Sequence, residues 1–116
     1  MRELKFFVKE MISLYPKVKL RPLITMNSDR QMLSFVLKRL GDLKSDFEDK
    51  NFSPSDDEIT ELQILKFLLS SLKLSVKRNG AMPNEVMQFR KRVINMNSKQ
   101  KQEEISRVIL SSSEWV

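Results

Sequence analysis

The chain has 116 residues, enough for one domain with one hydrophobic core. Its 41% apolar and 31% charged residues are a folded composition, and two glycines and four prolines leave little turn chemistry for a many-stranded sheet protein. It has no cysteine and no histidine, which excludes a disulfide framework, a zinc site built from those residues and the commonest general base at neutral pH, while the net charge of +6 favours anionic partners.

The first helix is predicted from about Arg2 to Leu14, because Leu4, Phe7, Val8 and Met11 form one stripe at i, i+3, i+4 and i+7. Arg2, Glu3, Lys5, Lys9 and Glu10 interrupt any signal-peptide core there. No apolar run approaches the roughly 18 residues of a membrane span, so the sequence reads as soluble and cytoplasmic, or nuclear in a eukaryote. Pro16 ends the helix near Tyr15. From Lys17 to Asn27, Val18 and Leu20 alternate with Lys17, Lys19 and Arg21, which predicts an extended segment over about residues 17–24, a short strand or a solvated connector.

Ser28-Asp29-Arg30-Gln31 is a capping box that starts a second helix. Met32, Val36, Leu40, Leu43 and Phe47 carry it to about Phe47 or Glu48, with Gly41 inside, where a neighbouring helix would have room to approach. A second box, Ser55-Asp56-Asp57-Glu58, opens the third helix. Leu62, Leu65, Leu69, Leu72 and Val76 predict its packed seam, with Leu69 almost wholly buried at mid-helix. Ile64, Phe67, Leu68 and Leu74 make the helix apolar on further faces, which places it at the centre of the fold. Lys77, Arg78, Asn79 and Gly80 are a C-terminal stop. Pro83 and Asn84 open a fourth helix with Val86, Phe89, Val93 and Met96 inward; Asn97 and Ser98 break or cap the chain before a fifth carrying Ile105, Val108 and Ile109. Short connections predict antiparallel neighbours, and the fold class is an all-α bundle of about five helices in a single domain.

Charge is segregated. Asp42 to Glu61 holds eight acids against Lys44 and Lys50, a balance of −6, which leaves +12 for the rest of a chain of net charge +6. Between Leu62 and Lys101 only Glu85 opposes the cations. Arg90, Lys91, Arg92, Lys99 and Lys101 are the primary candidates to contact phosphates, with Lys73, Lys77 and Arg78 secondary and the amides of Asn95, Asn97 and Gln100 adding polar contacts. A solvated face that balances the acidic belt is the plain alternative, and an acidic protein a third. No aromatic ladder accompanies the cluster, so stacking on single strands is not indicated.

The acids fail a calcium-loop test, since Lys50 stands where an oxygen ligand is needed and Asn51 where glycine is needed. Gly41 and Gly80 cannot form a phosphate loop, and no nucleophile motif is present. No metal, no cofactor and no enzymatic activity are therefore expected. Met11, Met32 and Met87 read as core filling; Met82, Met87 and Met96 would otherwise make an adaptable surface. Trp115 and Val116 read as a last core contact, with a docking peptide as the alternative.

Ser28-Asp29-Arg30, the apolar run Leu33, Val36, Leu37 and Leu40, and the cap Phe52-Ser53-Pro54-Ser55-Asp56-Asp57-Glu58 resemble the helical region of the YqeY family, related to the tail domain of the GatB amidotransferase subunit. Leu68-Leu69-Ser70-Ser71 stands where that family would carry lysine, glutamine and arginine. The resemblance covers under half of the chain and implies proximity to RNA. Two functional readings follow: a small helical nucleic-acid-associated protein, or a helical adaptor that binds another protein or a second copy through surplus apolar surface of the third helix.

Overall fold

A computed structural model describes residues 2–49, 51 and 53–111. Helices run over Arg2–Leu14 (α1), Asp29–Asp49 (α2), Asp56–Lys77 (α3), Asn84–Val93 (α4) and Ser98–Ser111 (α5). The fold is an all-α bundle, with no strand among the described residues. Trp115, Val116, Lys50 and Phe52, which entered the sequence expectations, lie outside the described residues.

The segment after α1 corrects the expectation of an extended stretch. Residues 21–25 form a 3₁₀ turn, with Leu23 N donating to Leu20 O at 3.0 Å. Pro22 suits its start, where the missing N–H removes no helical bond and φ is already set. The alternation was real in burial: Val18 and Leu20 are buried while Lys17, Lys19 and Arg21 are exposed. A tight turn meets that pattern as well as a strand does.

The chain folds as two antiparallel helix pairs closed by α1. In the first pair, Ser75 Oγ donates to Asp29 Oδ2 at 3.0 Å near one end. Further along, Arg39 grips Glu61 bidentately, Nε to Oε1 at 2.6 Å and Nη2 to Oε2 at 3.1 Å. In the second pair, Arg92 of α4 meets Glu104 of α5, and Arg107 of α5 reaches back to Glu85 of α4. α1 packs on α4, α5 and the 3₁₀ turn. Its Phe7 ring lies 4.6 Å from Phe67 of α3 and 4.2 Å from Phe89 of α4, centroid to centroid. α2 packs chiefly on α3.

α3 is buried along Glu61, Ile64, Leu65, Leu68, Ser71, Leu72 and Ser75, with Phe67 on the side toward α1. This corrects the predicted seam. Leu65 and Leu72 hold, but Leu62, Leu69 and Val76 are only half-buried. Three polar residues sit on the true face: Glu61 held by Arg39, Ser75 by Asp29, and Ser71 donating to Phe67 O at 3.1 Å. A buried polar side chain is tolerated once hydrogen-bonded, and hydropathy alone steers past it. Ile64, Phe67 and Leu68 are fully buried inside the single chain, whereas Leu74 is half-buried and Ile59 is 40% exposed. Met11 and Met32 fill the core, whereas Met87 is exposed.

Candidate nucleic-acid interface

α4 turns Val86, Phe89 and Val93 inward, and its three consecutive cations then point three ways. Arg92 faces α5. Its Nε donates to Glu104 Oε1 at 2.7 Å, and its Nη2 donates to Glu85 O at 2.8 Å and lies 3.1 Å from Glu85 Oε2. Arg107 completes the cluster from α5, donating to Glu104 Oε1 at 2.6 Å and Glu85 Oε2 at 2.9 Å. The hydrogen bond from Arg107, against the opposing effect of burial and with help from Arg92, holds the Glu104 carboxyl below its ordinary range. Reciprocally, Glu104 and then Glu85 push the Arg107 guanidinium above its ordinary value. Arg92 is thus a structural cation, spent on joining α4 to α5.

Arg90 leans the other way. Its guanidinium carbon lies 4.7 Å from the centroid of the Phe6 ring on α1, close enough for cation–π attraction. Phe6 is 6.0 Å from Phe89, so a run of rings from Phe67 through Phe7 and Phe89 to Phe6 ends at the surface under a cation. Lys91 is exposed, between these two sides.

α5 begins with Asn97 and Gln100 capping each other: Gln100 N donates to Asn97 Oδ1 at 2.9 Å and Asn97 N to Gln100 Oε1 at 3.1 Å. These two amides, expected to serve a ligand, are used by the helix start. Lys99 is exposed in the first turn, with no acid beside it there. A cation at a helix N-terminus opposes the helix dipole. Lys101 is half-buried and pairs with Glu10 of α1 at 3.5 Å.

The eight candidates therefore divide. Arg90, Lys91 and Lys99 stand near the α4–α5 turn with side chains turned to solvent; Arg92 and Lys101 are bound to carboxylates of the fold. Lys73, Lys77 and Arg78 are exposed at the far end of α3, where Asn79 and Gly80 border an open pocket of about 410 Å³ shared with Arg30. Sequence reasoning missed Arg107 and Phe6, which decide the directions of Arg92 and Arg90. The only signal for Arg107 was its spacing of three from Glu104 on one helix. Among the described residues no three His, Cys, Asp or Glu side chains group to hold a metal ion, and no helix is long and apolar enough to cross a membrane.

Compared with protein-family models, curated proteins and solved structures, the chain gives no match.

Proposed function

We propose that the protein binds nucleic acid, without catalysis, through phosphate contacts from Arg90, Lys91 and Lys99 around the α4–α5 turn. The observation that carries this reading is how the local acids are used. Glu85 and Glu104 are committed to Arg92 and Arg107, and Glu10 to Lys101. Among the described residues Arg90, Lys91 and Lys99 form no ion pair, the exposed Glu103 standing one turn beyond Lys99, and they are open to an outside anion. Lys99 adds support, because a lysine there opposes the dipole at about 0.3–1 kcal/mol, a cost that a bound anion would offset. Lys73, Lys77 and Arg78 make a second exposed basic group at the C-terminal end of α3, and the YqeY-like stretch agrees with RNA as the target. A protein partner is the second reading, favoured by Met87 of α4 and Ile94 at its C-cap, which are 45% and 70% exposed.

The test is anisotropy of a labelled mixed-sequence duplex and of a tRNA across a salt series. Affinity is expected to fall by orders of magnitude between about 50 and 200 mM salt, and each of Lys91→Ala and Lys99→Ala to lower the log–log slope by about 1. Affinity that ignores salt, or slopes unchanged in both variants, overturns the reading.

A further inference from the structure

α2 has a second face that the chain does not cover. Its core side carries Met32, Val36 and Leu43, with Arg39 beside them gripping Glu61. About 120° round the helix, at ~100° per residue, lie Arg30, Leu33, Leu37, Gly41, Lys44 and Glu48, within a sector of roughly 80°. Leu33 is half-buried; the other five are exposed, Leu37 to 50%. Gly41 is the anomaly. It sits in the middle of a long helix, where glycine is unfavourable, and a Cβ built there meets no atom within 4 Å. Nothing inside the chain needs a glycine at that position.

The stripe is self-complementary. Laid antiparallel against its own copy about a twofold axis between Leu37 and Gly41, each Leu37 falls opposite the partner copy's glycine. The same register sets Arg30 against Glu48 at both ends of the contact, about 27 Å apart at 1.5 Å per residue, and sets Lys44 against the neutral Ser34. Spacings of 3, 4, 4, 3 and 4 residues along the stripe are those of a helix–helix seam. A closed pair needs this isologous match, in which residue i meets j and j meets i.

We propose that the protein forms a twofold homodimer through this face of α2, with Leu37 seated over Gly41 of the other copy and Arg30 paired with Glu48 across the axis. The dimer is independent of the nucleic-acid reading, since none of its residues lies on α4 or α5. Apolar area is concentrated in Leu33 and Leu37, which places the contact among small, reversible interfaces.

Sedimentation equilibrium without nucleic acid tests it. The mean mass is expected to rise from 13.7 kDa toward twice that as concentration increases to about 1 mM, where a millimolar Kd is still populated. Leu37→Glu should abolish the rise, with a helical circular-dichroism spectrum showing that the half-exposed site tolerates it. Arg30→Glu and Glu48→Arg should each weaken association at least tenfold, and the double variant should restore most of it. A mass fixed at 13.7 kDa throughout, or association indifferent to Leu37→Glu, overturns the proposal. Single and double charge variants that associate alike overturn the antiparallel register.

Discussion

Glu61 is 5% exposed, and Arg39 supplies both hydrogen bonds to its carboxylate. The Glu61 hydrogen bond, against partial burial, raises the Arg39 guanidinium above its ordinary value. Removing one partner strands the other, so Arg39→Met is expected to cost roughly 2–4 kcal/mol, somewhat under the value for a fully buried pair because Arg39 keeps some solvent. The double variant Arg39→Met/Glu61→Leu should recover most of that loss. Urea titrations of the three variants decide it; a double variant no better than the single would mean the pair is more than mutual neutralisation. Leu68 and Leu69 make a second residue-scale test. Leu68 is fully buried and Leu69 half-buried. Leu68→Ala should therefore cost about 2–5 kcal/mol, and Leu69→Ala clearly less; the reverse order in thermal melts would restore the seam expected from hydropathy. That seam was displaced by about one residue for a physical reason. Periodicity counts apolar side chains, and here Glu61, Ser71 and Ser75 face inward with their polar atoms satisfied by groups distant in sequence or by the backbone.

At the scale of elements, local chemistry was legible. The box at Ser55 forms in full, Ser55 Oγ accepting from Glu58 N at 3.3 Å and Glu58 Oε1 from Ser55 N at 3.0 Å. At Ser28 only half of it forms, Ser28 Oγ accepting from Gln31 N at 3.1 Å while Gln31 Oε1 accepts from Asn27 N, one residue earlier. α3 stops with Asn79 and Gly80 both at positive φ and Gly80 N donating to Ser75 O at 2.7 Å, a Schellman closure. What the sequence hid was which way each cation turns, because that depends on a partner helix. The Glu85–Arg92–Glu104–Arg107 cluster is the case in point, and it carries a pH signature. Glu104 has its carboxyl pKa depressed in the fold. Its stabilisation is therefore present above the unfolded carboxylate value of about 4.3 and is lost as pH falls through the lower folded value. Glu104→Gln should melt below the parent chain at pH 7, by about 1–2 kcal/mol, and the difference should close as the pH is taken below about 4. A gap that stays constant down to pH 2.5 would show that the carboxylate charge is not what joins α4 to α5. Gly41 supplies the opposite expectation: Gly41→Ala has room for its methyl and should raise monomer stability by about 0.5–1 kcal/mol, read as a higher melting temperature in dilute solution.

At the scale of the molecule, the number of helices and their order were legible, and so was antiparallel packing where α2 meets α3 and α4 meets α5. The equally consecutive α1–α2 and α3–α4 do not pack as pairs, which corrects the expectation that all neighbours would. The closing of α1 onto α4 and α5 was not legible, because no local pattern announces a contact between chain segments so far apart. Charge follows the same division. Exposed acids gather where α2 turns into α3, at Asp42, Asp46, Glu48, Asp49, Asp56 and Asp57, while exposed cations occupy the far end of that pair and the α4–α5 turn. The placement of α1 also bears on how the protein is made. α1 is synthesised well before α4, since the helix holding Phe89 starts only at Asn84. At roughly 5–20 residues per second, α1 waits several seconds for Phe89, the ring that meets Phe6 and completes the cover of Phe7 begun by Phe67 of α3. During that interval Phe6 and the side of Phe7 turned to Phe89 lack the ring that covers them in the finished fold. A nascent chain halted before Asn84 should accordingly bind a hydrophobic dye, and one extended through α5 should not.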